Sequence, residues 1–242
     1  MQLSNHKILV TGGATGIGFG LAERFVKENN EVIICGRREP ALRKAKDKIP
    51  SIITKTCDLT QHEQRKELIE WIRKEHSDLD VLVNNAGIQQ WMNVTDDDFF
   101  QRAKEEINTN IESPLHLTSL FLQLKSLKVI MNVTSGLSFT PLSKVPVYCA
   151  TKAFFHSFTL SIRHLLNPRN IEVIELIPPA LNTDLGGKGI HDSFPPVSGF
   201  IDAVFEQLKQ GKAEITYGTS EPLLNAGREM LQNVFDRLNP VQ

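Results

Sequence analysis

Residues 8–18 of the chain read ILVTGGATGIG, an apolar run followed at once by a glycine-rich turn. The run is typical of a short buried strand, and the spacing of Ile17, Leu21 and Phe25 predicts a helix after the turn. Glycines at such a turn let the backbone approach a pyrophosphate, whose charge then lies against free amides at the positive helix end. The stretch therefore predicts a strand, a phosphate-binding turn and a helix, with an ordinary strand-to-helix turn as the open alternative.

Short apolar runs of the same kind recur along the chain and alternate with segments of helical spacing. The runs are rich in β-branched residues and mostly lack alternation, which is typical of strands buried on both faces; they lie at 32–35, 52–53, 81–83, 129–131, 173–177 and 215–217. The alternation predicts an α/β fold, a Rossmann-like doubly wound parallel sheet of about seven strands with helices on both faces. Because no repeat or Gly/Ser-rich linker interrupts the pattern, we expect residues 1–242 to form a single domain.

Two segments depart from this rhythm. Residues 183–199 hold four glycines and two prolines with little periodicity, which predicts a long loop that acts as a substrate lid. Residues 221–239 carry a stripe of apolar side chains at helical spacing, which predicts an amphipathic C-terminal helix; its members are Leu223, Met230, Leu231, Val234, Phe235 and Leu238.

Composition excludes several classes of protein. With 27 Lys and Arg against 28 Asp and Glu the formal net charge is −1, which argues against nucleic-acid and anionic-membrane binding. No run approaches the roughly 18 apolar residues of a membrane span, and no signal peptide is evident. Three scattered cysteines fit a reducing compartment, so we expect a cytoplasmic protein. The seven histidines lack metal-type spacing, and we expect surface or subunit-contact positions for them and no metal site.

The end of the second predicted strand reads ICGRR at residues 34–38. In a dinucleotide fold an acidic residue here accepts hydrogen bonds from the ribose 2′-hydroxyl of NAD. Arg37 and Arg38 instead suit a 2′-phosphate through charge-assisted contacts, which predicts NADP(H). The alternative is that both arginines are solvated loop charges. Asp58, after the third strand, either accepts from the adenine amino group or caps the following helix.

A tyrosine and a lysine four residues apart form the sharpest local signal. Tyr148 and Lys152 share one face of a predicted helix, where an ammonium group would lower the pKa of the phenol toward working pH. Ser135 follows the fifth strand, at the sheet edge where open α/β sheets bind ligands, and its hydroxyl could bond a substrate oxygen.

These residues carry a family resemblance. The TGxxxGIG pattern at 11–18, the NNAG turn at 84–87, Asn110, Ser135, the YxxxK pair and Pro178 with Thr183 occur in the order typical of the short-chain dehydrogenases/reductases. The similarity spans roughly residues 5–218, and it looks closest to the bacterial oxidoreductases associated with teichoic-acid D-alanylation gene clusters. The resemblance implies an oxidoreductase that moves a hydride between a nicotinamide cofactor and a carbonyl or alcohol substrate.

The resemblance also implies residue roles. Tyr148 would be the general acid or base, Lys152 would lower its pKa and hold the nicotinamide ribose, and Ser135 would bind the substrate oxygen. Asn110 would hold a water molecule of the proton relay. The residues expected to bind the cofactor are Gly12, Thr15, Gly16, Ile17, Gly18, Arg37, Arg38, Asp58, Leu59, Asn85, Ala86, Gly87, Tyr148, Lys152, Pro178 and Thr183.

Some features depart from the family or leave choices open. Pro179 stands where the family commonly has glycine, which removes an amide and puts a backbone contact to the nicotinamide in doubt. A non-catalytic NADPH-binding regulatory protein is an alternative function, whereas a nucleotide-sugar epimerase would need a longer carboxyl half. Apolar helix faces at 115–124 and 154–162 predict a homodimer or homotetramer. Two apolar pairs, Trp91 with Met92 and Leu137 with Phe139, either line the rim of the substrate cleft or pack a lid without touching the substrate. Phe194 could close over the site.

Overall fold

Seven parallel strands form one sheet in the computed structural model of the chain, which describes residues 2–240. The strands are β1 Lys7–Thr11, β2 Glu31–Gly36, β3 Ile53–Thr56, β4 Val81–Asn84, β5 Val129–Val133, β6 Glu172–Ile177 and β7 Glu214–Thr216. Their order across the sheet is β3-β2-β1-β4-β5-β6-β7, and every neighbouring pair is parallel. The predicted doubly wound single-domain fold is confirmed.

Helices cover both faces of this sheet. They are α1 Gly16–Lys27, α2 Glu39–Lys48, α3 His62–Glu75, α4 Phe99–Ile107, α5 Ser113–Phe121, α6 Pro146–Leu166, α7 Val197–Lys209 and α8 Arg228–Leu238. A π-helical turn, Asn108–Glu112, joins α4 to α5, and 3-10 turns lie at Gly136–Ser138, Asn167–Arg169 and Gly218–Leu223. No helix within residues 2–240 combines the length and the apolar character needed to cross a bilayer.

The alternating side chains of the strands divide the core into two layers. On one face Ile8 and Val10 of β1 lie in the same apolar cluster as Phe25 of α1 and Phe205 of α7, whose rings meet edge to face at 4.9 Å. On the other face Leu9 lies in the same cluster as Phe121 of α5. Burying each of these side chains contributes about 1.5–3 kcal/mol, so both layers hold the sheet in place.

The strand order reverses between β1 and β4, and this reversal places the functional site. In open α/β sheets ligands bind outside the carboxyl ends of the strands at such a switch point. The glycine turn follows β1, the Asn84–Gly87 turn follows β4, and Ser135 follows β5, so all three meet at the same edge.

The two irregular segments differ from their predicted bounds. Turns and bends occupy residues 183–196, and α7 already begins at Val197, with Asn182 and Pro196 bridged at the base of the loop. The C-terminal helix starts at Arg228 and not at residue 221, because Pro222 lies in a 3-10 turn and Gly227 interrupts the chain before α8. Leu223 belongs to that turn and is buried, whereas no residue of α8 is.

The end of α8 is attached to a loop that follows Ser135. The Asn239 amide nitrogen donates to the Pro141 carbonyl at 3.0 Å, and its oxygen accepts from the Ser143 amide at 2.6 Å. The tail therefore lies across residues 141–143.

Candidate active site

The glycine turn after β1 adopts a conformation that side chains would prevent. Gly12 and Gly16 have φ angles of +63° and +54°, in the left-handed region that favours glycine. A Cβ atom on Gly18 would lie 2.4 Å from the Asn85 amide nitrogen and 2.5 Å from the Gly12 carbonyl oxygen. The backbone of this turn can thus approach both the next turn and a ligand closely.

Thr11 connects the glycine turn to the turn after β4. Its hydroxyl donates to the Val83 carbonyl at 3.1 Å and accepts from the amides of Asn85 and Ala86 at 2.9 and 3.0 Å. Asn84 lies deeper, where its amide donates to Asn132 at 3.0 Å in the buried sheet. The two turns are therefore fixed relative to each other.

An open cleft of about 450 Å³ runs along this edge of the sheet. It is lined by every residue predicted to bind the cofactor: Gly12, Thr15, Gly16, Ile17, Gly18, Arg37, Arg38, Asp58, Leu59, Asn85, Ala86, Gly87, Tyr148, Lys152, Pro178 and Thr183. The sequence analysis missed other lining residues, among them Ile88, Gln89, Thr134, Leu185 and Gly186. Ile88 and Gln89 directly follow the Asn84–Gly87 turn, a position that could have identified them.

Arg37 and Arg38 stand exposed where β2 ends. Within residues 2–240 no carboxylate lies within ion-pair distance of either guanidinium group. A Cβ atom on Gly36 would meet nothing within 4 Å, so the space beside the arginines is open. This end of the cleft carries two positive charges without a compensating acid.

Asp58 stabilises a local turn. Its Oδ1 atom accepts from the main-chain amide of Thr60 at 3.0 Å and from the Thr60 hydroxyl at 2.8 Å. Because α3 begins only at His62, with Gln61 before it, Asp58 caps this turn and not the helix itself. Asp58 also lines the cleft, so the predicted adenine contact stays a prediction.

Helix α6 places the tyrosine and the lysine. Pro146 starts the helix, where its fixed φ is favourable, so Tyr148 lies in the first turn and Lys152 one turn later. Both are 6% exposed. The Lys152 ammonium donates to the Val133 carbonyl at 2.8 Å and lies 5.6 Å from the centre of the Tyr148 ring.

Ser135 extends from the end of β5 toward the same point. Its Oγ accepts from the Leu137 amide at 3.1 Å, and the hydroxyl is near enough to Tyr148 to lower the pKa of the phenol. The apolar side chains of Leu137 and Leu185 pack against the cluster of Val145, Tyr148 and Cys149. Leu185 lines the cleft, whereas the position of Leu137 at its rim stays a prediction. Ser135 and Lys152 thus both lie near Tyr148, and Tyr148 and Lys152 line the cleft.

The pKa of Tyr148 differs from the sequence expectation. Burial raises it well above its usual value, and the hydrogen bond from Ser135 opposes this only in part. Burial also lowers the pKa of Lys152 to about 8. Lys152 therefore does not depress the phenol pKa in this structure, because desolvation of the phenolate dominates and the ammonium is bonded to Val133.

Asn110 lies in the π-helical turn, which bends the chain beside Lys152. Its Oδ1 accepts from the Ile88 amide at 2.9 Å, and its Nδ2 donates to the Ile88 carbonyl at 2.8 Å and the Thr151 hydroxyl at 3.1 Å. A Cβ atom on Gly87 would lie 3.3 Å from Oδ1 and 3.8 Å from the Lys152 ammonium. Both amide hydrogens are used, so a relay water would have to donate to the remaining Oδ1 lone pair.

Two aromatic residues predicted near the substrate, Trp91 and Phe194, lie outside the lining of the cleft. The Trp91 indole nitrogen would lie 3.4 Å from a Cβ atom on Gly186, so Trp91 lies beside the lid segment. Phe194 is 41% exposed and its ring meets His191, away from the Tyr148 cluster. Within residues 2–240 no group of three or more His, Cys, Asp or Glu side chains is placed to share a metal ion.

The expectation of surface positions for the histidines is wrong at His6, His76 and His156, whose side chains are 10%, 12% and 20% exposed. His6 and His156 are mostly buried and bond Asp80 and Glu175, respectively. Because a buried carboxylate needs hydrogen-bond donors, these rings serve the interior of the fold.

Comparisons with known proteins place this geometry among oxidoreductases. Residues 6–192 match the family described as short chain dehydrogenase. The chain is 42% identical over 253 residues to the protein named uncharacterized oxidoreductase DltE of Bacillus subtilis (strain 168), covering 99% of this chain and 98% of that protein.

Two solved structures share the fold. A short chain dehydrogenase from Burkholderia cenocepacia J2315 in complex with NADP has a TM-score of 0.84 at 26% identity, over 97% of this chain and 99% of that one. A short chain dehydrogenase/reductase from Burkholderia phymatum in complex with NAD has a TM-score of 0.83 at 15% identity, over 100% and 98% of the two chains. The second likeness shows the fold alone.

Proposed function

The chain belongs to the short-chain dehydrogenase family, and from this membership we propose that it is an NADP(H)-dependent oxidoreductase that interconverts a carbonyl compound and the corresponding alcohol. Ser135, Tyr148 and Lys152 would carry the chemistry. The observation that supports this most directly is that Tyr148 and Lys152 line a cleft that begins at the glycine turn, with Ser135 beside Tyr148.

The residues of the cleft fit a nicotinamide dinucleotide. The glycines at 12, 16 and 18 leave the backbone bare where a Cβ atom would collide or be strained, as close approach to a pyrophosphate requires. The start of α1 adds a positive helix end with no acidic residue in its first turn. Gly87 and Thr183 then line the route from this turn to Tyr148.

We propose NADP(H) as the cofactor, in preference to NAD(H), because of the two arginines at the end of β2. The family fold holds either cofactor in solved structures, so the choice depends on the residues at the end of β2. Arg37 and Arg38 offer unpaired guanidinium groups at that position, where a 2′-phosphate would form charge-assisted hydrogen bonds. An acidic residue at this position would instead favour the ribose hydroxyl of NAD. The acid of residues 31–38 is Glu31, which lies at the opposite end of β2.

When bound, the nicotinamide supplies the hydride for the carbonyl carbon or accepts it from the alcohol. The Tyr148 hydroxyl donates a proton to the carbonyl oxygen in reduction and takes it back in oxidation. The Ser135 hydroxyl donates a hydrogen bond to the same oxygen, which stabilises the negative charge that develops there. Both groups are buried and held by neighbours, so little reorganisation is needed.

Lys152 would act on the cofactor side of Tyr148. One of its N–H groups is used by the Val133 carbonyl, and the other two remain for the ribose hydroxyls. With a pKa of about 8 the amine is mostly charged at neutral pH. The proton lost by Tyr148 would be replaced along the path past Lys152 and Asn110, which both lie beside Gly87.

The surface proposed for a homo-oligomer differs from the one that the sequence predicts. The face at 115–124 is not free, because Leu117, Phe121 and Leu124 are buried in the chain's own core. Phe154 and Leu165 of α6 and Phe100 of α4 remain exposed and support a homo-oligomer through these helices.

The cysteines bear on the proposed location of the protein. Cys35, Cys57 and Cys149 are free and buried, which supports a cytoplasmic location.

A screen of NADPH oxidation over ketones, aldehydes, quinones and sugar-derived carbonyls, with NADH in parallel, tests the function. We expect at least one carbonyl class to be reduced, and with NADPH at higher kcat/KM than with NADH. Tight NADPH binding without turnover of any class would favour the regulatory alternative, and faster turnover with NADH would overturn the cofactor assignment.

A further inference from the structure

A carboxylate lies buried in the middle of β6, directly behind the catalytic serine. Glu175 is 0% exposed and is flanked by Ile174 and Leu176 in a strand whose other buried residues are apolar. It accepts from the Thr134 hydroxyl at 2.6 Å, and its two oxygens lie 2.9 and 3.0 Å from Nδ1 of His156. Burying a carboxylate without partners is strongly unfavourable, so these hydrogen bonds offset the cost of removing Glu175 from water.

His156 lies on α6 one turn after Lys152, and its ring is the second hydrogen-bond partner of Glu175. Its ring also meets the Phe139 ring at 4.7 Å, just beyond the 3-10 turn that follows Ser135. The hydrogen bond and charge of Glu175 raise the pKa of His156, and burial works against this. Glu214 of β7 adds to the increase, whereas Arg163 of α6 opposes it.

Thr134 connects this pair to the proposed reaction centre. It precedes Ser135, and its main-chain amide donates to the Leu176 carbonyl at 2.9 Å. On the other side of Ser135 the Gly136 amide donates to the Pro178 carbonyl at 3.0 Å. Within the described residues, the other hydrogen-bond partner of the Thr134 hydroxyl besides Glu175 is the Leu176 carbonyl, at 3.4 Å.

We propose that Glu175 and His156 are positioning residues that hold Thr134, and through it the hydroxyl of Ser135, in the orientation that meets Tyr148 and the substrate oxygen. The proposal rests on the proposed function for its kinetic consequence. Apolar side chains of similar volume would pack this site without the cost of burying charge, so stability alone gives no reason for a carboxylate here. A short, charge-assisted hydrogen bond from Thr134 restricts the strand end far more than packing would.

Substitutions at Thr134 test the link. Thr134→Val removes the hydroxyl at nearly constant volume, and we expect kcat to fall roughly 10- to 100-fold, as for a misplaced catalytic group. Because Thr134 also lines the cleft, the Kd for NADPH is measured in parallel and should change less than kcat does. Thr134→Ser keeps the hydroxyl and should restore most of kcat. Thr159→Val is the matched control: it removes another buried threonine hydroxyl, which accepts from Asn132 at 2.9 Å, and should lower the Tm without lowering kcat.

The pair also predicts a pH dependence. The wild-type kcat should fall as pH rises through the pKa of His156, because Glu175 then loses the opposing charge. His156→Gln cannot titrate, so this fall should be missing from its profile. An unchanged profile in His156→Gln, or a kcat for Thr134→Val equal to that of the wild type, would overturn the proposal, and so would an equal loss in Thr159→Val.

A spectroscopic readout separates this inference from the proposed function. The chain has two tyrosines, so tyrosine labelled with 13C at the Cζ position gives NMR signals for Tyr148 and Tyr217 alone. Displacement of Ser135 should shift the Tyr148 signal in Thr134→Val but not in Thr159→Val. If the wild type turns over no carbonyl, the proposed function fails, while an unmoved Tyr148 signal in Thr134→Val refutes the positioning pair on its own.

Discussion

The ammonium group of Lys152 donates a hydrogen bond to the main-chain carbonyl of Val133 at 2.8 Å, which ties the first half of α6 to the end of β5. Burial lowers the pKa of this amine to about 8. A cofactor whose ribose hydroxyls accept from the charged amine raises that pKa on binding, so binding must weaken as pH rises through the value in the free protein.

We therefore expect the Kd for NADPH to increase between pH 7 and pH 9.5. Lys152→Met should bind NADPH more weakly at pH 7 and show little further change with pH. Fluorescence titration of bound NADPH measures both constants. A wild-type Kd that is flat across this range would contradict the assigned contact.

Tyr148→Phe removes only the phenol oxygen. We expect kcat for carbonyl reduction to fall about 10²- to 10⁴-fold, the usual contribution of a general acid, while the Kd for NADPH stays within about twofold. Tyr217→Phe provides the matched control, since Tyr217 lies against Gly199 of α7 and outside the cleft lining. Steady-state NADPH oxidation measures both, and equal activity of the two variants would rule out the mechanism.

Arg37→Asp tests how the cofactor is discriminated. Exchange of a guanidinium that bonds a 2′-phosphate for an acid should lower the NADPH over NADH ratio of kcat/KM by at least roughly 10- to 100-fold, since hydrogen bonds to charged groups contribute about 1.5–3 kcal/mol. Arg43→Asp makes the same charge change on α2, where Arg43 is exposed and paired with Glu39. A similar shift in both variants would mean that general electrostatics, and not a specific contact, sets the preference.

Glu106 gives a prediction about stability. Its side chain is buried on α4, one Oε accepts from the Gln90 amide, and the other has no hydrogen-bond partner within residues 2–240. Burial raises its pKa from 4.5 to about 7, so the folded protein binds the proton more tightly than the unfolded chain does. The free energy of unfolding should thus fall as pH rises from about 4.5 to above 7, by up to about 3 kcal/mol.

Glu106→Gln should remove this contribution, and urea unfolding at pH 5 and pH 8 measures it. Glu105→Gln, its exposed neighbour on α4, should keep the wild-type pH dependence. If the two variants depend on pH in the same way, Glu106 is not the titrating group.

Much of the fold could be predicted from local signals. Strands buried on both faces read as continuous apolar runs, so β1, β4 and β5 are recognisable without any tertiary information. Both the family and the closer resemblance to a group of bacterial oxidoreductases are confirmed by the comparisons. The residues predicted to bind the cofactor converge on one cleft, while their individual roles stay predictions.

The remainder depends on contacts between distant residues. The pKa of Tyr148 follows from how deeply α6 is covered, which a four-residue spacing to Lys152 does not report. The free apolar face predicted for α5 is buried because α5 packs against the sheet, and helical periodicity cannot distinguish a core from an interface. Glu175 did leave a signal, an acid between Ile174 and Leu176, but its partners Thr134 and His156 come from other elements.

The attachment of Asn239 to residues 141–143 has a practical consequence. Two main-chain groups of a loop that follows Ser135 are held by a side chain close to the end of the chain. An environment-sensitive fluorophore on α8 would therefore report on the position of this loop without a label in the cleft itself.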